Sequence, residues 1–137
     1  MSSSSLKSET RLKVRWGDMD ALGHVNNAVY FSYIEQARVD WLSKREHLNH
    51  GTEGFVLINT QCTFLKPVVY PANVIVRTYL KDVGNSSVTL EHTLTTEEDS
   101  ENNYAIAEAK MVWIDYKAGK SRPLPQAIIE FFQLNLE

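Results

Sequence analysis

The stretch RWGDMDALGHVNNAVYFSYIEQAR, from Arg15 to Arg38, gathers two aspartates, a histidine and two asparagines ahead of a run rich in aromatics. Carboxylates spaced like Asp18 and Asp20 can ligate a cation, attack a phosphoryl group, serve as bases, or form a turn. The EF-hand option fails on spacing. Counting from Asp18, position five is Leu22 and position twelve is Val29, and neither brings a side-chain oxygen. Phosphoryl transfer from a D-x-D pair needs a parallel α/β sheet, and the elements of this chain alternate wrongly for it. No glycine-rich phosphate loop occurs. Turn formation remains an ordinary role for aspartate at a strand exit.

The residues after the aspartates change their prospects. From Asn27 to Lys44, Tyr30, Tyr33, Ile34, Ala37 and Trp41 recur at the spacing of an amphipathic helix. Asn26 or Asn27 suits its N-cap. Glu35 and Arg38 lie three apart on one face and are placed to pair. A helix N-terminus leaves backbone N–H groups free and carries partial positive charge. A carboxylate beside it stays ionised, and the same N–H groups polarise a carbonyl oxygen. Together these parts suit ester-type hydrolysis without metal.

The elements that hold this arrangement can be read from periodicity. Thr10–Trp16 alternates as a first strand, with residues 1–9 expected as a flexible polar tail. After the helix come four strand-like runs: Phe55–Val68, Asn73–Val83, Ser87–Glu98 and Tyr104–Tyr116. Pro67 and Pro71 punctuate the first boundary, and VGNSSV and EDSENN supply turns. PQAIIEFF closes the chain as a short helix with Pro125 in its first turn. At roughly 3.3 Å per residue, the run from Phe55 to Val68 would extend about 46 Å. The helix, at ~1.5 Å per residue, reaches only about 27 Å. Strands that long must curl. The reading is an α+β fold: a curved antiparallel sheet of about five strands wrapped around one long central helix. Exposed strand edges invite association, so an oligomer joined edge to edge is expected.

The chain has 137 residues, 43% hydrophobic and 23% charged, which suits one globular domain over residues 10–137. A net charge of −3 gives no general footprint for nucleic acid. No apolar run is long enough to span a bilayer, and the N-terminus lacks the apolar core of a signal peptide. The single cysteine, Cys62, excludes an intramolecular disulfide and fits a reducing, cytoplasmic setting. It reads as a small buried hydrophobe rather than a reactive thiol. His47 and His50 lack a completing cluster, so no metal or cofactor is assigned. His92, in mid-strand, reads as half-exposed.

The segment resembles the signature of hotdog-fold acyl-CoA thioesterases of the 4-hydroxybenzoyl-CoA thioesterase-like branch. That signature runs from an aromatic strand end through D-x-D-x-x-G-H and V-N-N to Y and E-x-A-R. Here it is met by Trp16, Asp18, Asp20, Gly23, His24, Val25, Asn26, Asn27, Tyr30, Glu35, Ala37 and Arg38. The resemblance implies the hotdog fold and hydrolysis of an acyl-CoA to free acid and CoA. It implies Asp20 as the catalytic carboxylate, acting as general base or nucleophile. A backbone N–H near Asn27 would bind the thioester oxygen. The substrate would lie at a homodimer or tetramer interface, acyl part inside and CoA tail outward.

Other roles are less tightly specified. His24 either orients water and touches substrate or packs the loop. Asn26 and Asn27 act as caps whose backbone atoms serve the substrate. Tyr30 lines the core or the acyl pocket, in competition with Phe31 and Tyr33. Arg77, Lys81 and the Gly84–Ser87 turn are candidates for the CoA phosphates, although VGNSSV lacks the basic cluster some members carry there. A second hotdog branch uses a helix carboxylate, for which Glu35 is the candidate. Asp18 is a turn or supporting residue. The rival readings are an acyl-carrier-protein thioesterase and a non-catalytic acyl-binding module. A hydratase of the same fold is less favoured, because its usual Asp/His arrangement is not evident downstream.

Overall fold

The computed structural model describes residues 5–43 and 51–134. The elements are β1 (Ser5–Lys13), a short 3-10 turn (Trp16–Asp18), α1 (Asn27–Leu42), β2 (Glu53–Phe64), β3 (Asn73–Val83), β4 (Ser87–Thr96), β5 (Ala105–Asp115), β6 (Lys120–Ser121) and α2 (Gln126–Gln133). The sheet is antiparallel in the order β1-β3-β4-β5-β2, with β6 added to β5. This is the hotdog arrangement, a sheet curled around α1.

The curl has local causes. Register shifts interrupt the pairing between Leu6 and Ser8, between Leu57 and Asn59, and between Leu80 and Asp82. Such bulges bend a strand and increase its twist. They let long strands wrap a shorter helix.

Alternation sets the inner face. Val74 and Val76 of β3, Leu94 of β4, and Ala105 and Ala107 of β5 are buried against Tyr30, Tyr33, Ile34 and Ala37 of α1. The small alanines leave room for the aromatic stripe. A second cluster surrounds the far end of α1. There Trp41 meets Val88, Leu90, Met111, Trp113 and the α2 residues Ile128, Phe131 and Phe132.

Several expectations are corrected. The first strand begins by Ser5, where Ser5 pairs with Leu80, so the segment from Ser5 onward is sheet rather than tail. Pro125 is the N-cap of α2, not part of its first turn. The run expected to reach Val68 leaves the sheet after Phe64. His92 is not half-exposed: it has 0% exposure, on the same face as Leu90 and Leu94. Its Nδ1 lies 3.0 Å from Thr78 Oγ1, while Nε2 has no hydrogen-bond partner. Burial, then the charge of Arg38, lowers its pKa to about 3, so it is neutral. Arg38, expected to pair with Glu35 on one face of the helix, is instead buried with the apolar residues of α1. Burial lowers the Arg38 pKa and the charge of Glu35 offsets this only in part; the two make no direct ion pair among the described residues. His47 and His50 lie outside the described residues.

Candidate active site

Between β1 and α1 the chain forms a compact loop with its own internal pairing. Met19 and Val25 make an isolated antiparallel bridge. Within it, the Asp20 amide donates to His24 O at 2.9 Å and the Gly23 amide donates to Asp20 O at 3.0 Å. Gly23 has φ of 83°. That left-handed conformation costs glycine little and other L-residues more, which explains the Gly-His pair. Asp20 closes the loop further, its Oδ1 accepting from the Leu22 amide at 2.9 Å. Its other oxygen has no partner among the described residues.

The start of α1 is capped as the sequence suggests. Asn26 Oδ1 accepts from the Ala28 amide at 2.9 Å, and Asn26 O accepts from the Val29 amide at 2.8 Å. The Asn27 amide makes no hydrogen bond among the described residues. It is a free donor at the positive end of the helix.

Asp20, His24, Asn26, Asn27 and Tyr30 all line one cleft of about 430 Å³. Five expected site residues, distant in role but close in sequence, therefore converge. The opposite wall is Phe64, Leu65, Lys66 and Pro67, which sequence reasoning missed. Its only signal was the FLKP ending of a strand, because the wall is brought in by contacts across more than thirty residues. Tyr30 makes those contacts. Its hydroxyl donates to Lys66 O at 3.2 Å and accepts from the Val68 amide at 3.1 Å. Its ring meets Phe64 edge-on at 5.0 Å. Burial raises the Tyr30 pKa and keeps the phenol protonated. Tyr30 is thus both core and cleft lining.

The wall is tied to the β4–β5 turn. The Leu65 and Lys66 amides both donate to Tyr104 O, at 2.8 and 3.2 Å. Lys66 Nζ pairs with Asp99 at 3.0 Å and sits 4.8 Å from the Tyr104 ring centroid. The Asp99 hydrogen bond raises the Lys66 pKa, so a cation stands on the cleft wall.

Arg77, Lys81 and Ser87 are not brought to the cleft of this chain. Arg77 bonds Glu9 at 2.8 Å and Thr95 Oγ1 at 3.2 Å. Lys81 occupies a register shift and pairs with Glu108 at 2.6 Å. Ser87 opens β4, and its carbonyl accepts from the Gly84 amide at 2.7 Å. Glu35 is exposed on α1 away from the cleft. Tyr33 turns to Asp18, and Phe31 packs near Phe64 at 6.2 Å. Cys62 packs partly buried against the first core cluster, and burial raises its thiol pKa. A half-buried thiol whose pKa is raised stays protonated and is a poor nucleophile.

Behind the cleft, Asp18 is 4% exposed. Its Oδ2 accepts from the Arg15 amide at 3.0 Å and from Tyr33 OH at 2.7 Å; Arg15 Nη2 lies 3.0 Å from Oδ1. Burial opposes its charge, but these donors together hold the carboxyl below its ordinary range. Burial and then the Asp18 hydrogen bond push the Tyr33 phenol well up, so it remains a donor.

Among the described residues no group of three or more His, Cys, Asp or Glu is placed to hold a metal ion, and no helix is long and apolar enough to cross a membrane. Residues 14–132 match the thioesterase-like superfamily. The long-chain acyl-CoA thioesterase FadM of Escherichia coli is 29% identical over 121 residues, covering 85% of this chain and 89% of FadM. The PA2801 protein of Pseudomonas aeruginosa has 43% identity and a TM-score of 0.86, covering 91% of this chain and 97% of its own. A Thermus thermophilus thioesterase, solved with coenzyme A and Zn, has 32% identity and a TM-score of 0.80, with 94% of each chain covered. The chain belongs to the thioesterase-like superfamily, as a thioester hydrolase with the hotdog fold.

Proposed function

We propose that this protein hydrolyses an acyl-coenzyme A thioester to free acid and CoA, with Asp20 as the reacting carboxylate. The observation that carries the reading is a pairing at one cleft. Asp20 has one oxygen anchored by the Leu22 amide and the other unpartnered, and the free Asn27 amide opens the helix beside it. The first group can accept a proton from water or attack carbon; the second can stabilise the oxyanion. In the general-base route, Asp20 takes a proton from water as the water oxygen bonds to the thioester carbon. The carbonyl oxygen takes up negative charge against the Asn27 N–H. Collapse breaks the C–S bond and releases CoA as thiolate, a competent leaving group with a thiol pKa near ~8.5. In the nucleophilic route the carboxylate oxygen bonds to the thioester carbon, the C–S bond breaks and CoA leaves as thiolate, and water then opens the mixed anhydride at the aspartyl carbonyl carbon. Single turnover in ¹⁸O-water separates them: label enters Asp20 only by the second.

The CoA carrier is supported by the Thermus relative, and a long acyl chain by the name of the Escherichia coli one. The protein works as a homodimer or a larger assembly. Leu57, Ile58 and Phe64 on edge strand β2, with Leu65 beyond it, are exposed, and β2 has an unpaired edge. A second copy on that edge would cover the apolar surface and enclose an otherwise open cleft. Arg77, Lys81 or Ser87 would meet CoA phosphates only if the bound nucleotide crosses the subunit boundary.

The test is thiol release from short, long and aromatic acyl-CoAs, run beside Asp20→Asn. Turnover by the parent and loss of about a thousandfold in the variant is the expected result. Parental turnover by Asp20→Asn would overturn the assignment. Faster turnover of carrier-protein thioesters would move the substrate to that carrier, and tight acyl-CoA binding without released thiol would mark a binding module.

A further inference from the structure

We propose that Asp18 and Tyr33 are positioning residues that fix the Asp20 carboxylate relative to the Asn27 amide. This rests on the catalytic reading of Asp20 and adds to it a second pair of residues that never touch substrate.

A carboxylate buried to 4% exposure on a loop calls for compensation, and here it receives three donors. They come from two directions. The Arg15 amide and guanidinium come from the exit of β1. The Tyr33 hydroxyl comes from the second turn of α1, at 2.7 Å. Asp18 also uses its main chain: its carbonyl accepts the Asn26 amide at 3.0 Å. Asn26 is the N-cap of α1. One residue therefore grips α1 at two heights, at the cap through its carbonyl and farther along through its carboxylate.

Asp20 lies two residues beyond that grip. Met19, between them, is locked to Val25 by the bridge that closes the loop. No freely rotating segment separates the Asp18 anchor from the Asp20 carboxylate. A loop that is free to rock on α1 moves Asp20 against the Asn27 amide, and displacements near 1 Å can cost about a hundredfold in rate. The arrangement removes that freedom. A loop tied only for stability would not need an ion: burying a charge is a costly way to join two elements, and apolar contacts join them as well.

Four variants test this by kcat and KM measured separately, with melting temperature and circular dichroism as controls. Tyr33→Phe removes one hydroxyl and keeps the ring. It is expected to lower kcat about tenfold with KM within about twofold and folding intact. Asp18→Asn keeps an acceptor for Tyr33 and the Arg15 amide while losing the charge, and should retain more kcat than Asp18→Ala. Asp18→Ala combined with Tyr33→Phe should lose no more than Asp18→Ala alone, because both cut one link. Parental kcat in Tyr33→Phe, or equal losses in Asp18→Asn and Asp18→Ala, overturns the proposal. So does a fall in kcat matched by a rise in KM. If Asp18→Ala does not fold, Tyr33→Phe alone decides. Asp20→Asn run in parallel keeps the two claims apart. Parental turnover there sinks the catalytic reading itself. A dead Asp20→Asn beside a fully active Tyr33→Phe sinks only the positioning role.

Discussion

At its N-terminal end α1 meets an exposed, hydrogen-bonded loop with a carboxylate, an imidazole and an unpartnered amide around an open cleft. At its C-terminal end the same helix is sealed. Trp41 stacks on Phe131 at 5.2 Å and 30°, and Phe132 fills the angle between Trp41 and Phe55, edge-on to both. Trp113 and Ile128, both fully buried, complete that cluster. The two ends divide the labour. Aromatic packing anchors the rod through non-directional burial, which leaves the polar groups of the other end free to set geometry. Even there the core tyrosines act as ties as well as filling: Tyr30 holds the far wall and Tyr33 holds the loop.

The division can be broken from either side. The largest effect belongs to Asp20→Asn, about a thousandfold or more in turnover with an unchanged melting temperature, read by thiol release and calorimetry. Phe132→Ala should do the reverse. A fully buried aromatic lost from the sealed end costs about 3–5 kcal/mol in denaturant unfolding, while kcat of the folded fraction stays near parental. A fall in kcat at low temperature would show that the ends are coupled.

His92 sets a pH limit between them. Its imidazole titrates at about 3 in the native protein and near 6.5 when unfolded. The unfolded chain therefore binds the extra proton first as pH falls. The contribution of neutral His92 is complete above about pH 6.5 and drains away as pH falls from there toward about 3. Urea midpoints across that window should slope accordingly, and His92→Leu should flatten the slope. Asp18, with its lowered carboxyl, loses its contribution only as pH falls below the ordinary carboxylate range. An unchanged slope in His92→Leu would assign the acid sensitivity elsewhere.

The smallest effect is Tyr30→Phe. It leaves the buried Val68 amide without its acceptor, which costs about 1–3 kcal/mol. Because the freed wall faces the cleft, KM for acyl-CoA should rise more than kcat falls. Equal changes in both would mean the wall does not meet substrate.

Much of this was legible in one dimension. The period of Tyr30, Tyr33, Ile34, Ala37 and Trp41 located α1, and the Asn73–Val83 strand has the limits that alternation gives it. The capping role of Asn26 came from its side chain. His92 is buried because its parity with Val88, Leu90 and Leu94 points it inward, although a histidine in mid-strand reads by residue type as half-exposed. Arg38 shows the same lesson on the helix, where spacing outranked charge.

The order of residues alone specified most of the elements, the local loop and the candidate carboxylate, because these depend on neighbours within a few positions. Assembly in three dimensions selected which wall faces Asp20, which tyrosine hydroxyl holds what, and that Arg77 and Lys81 sit away from this chain's cleft. Those choices depend on sheet order and strand curl. A bulge of one residue or a changed neighbour re-aims a side chain without altering any local pattern.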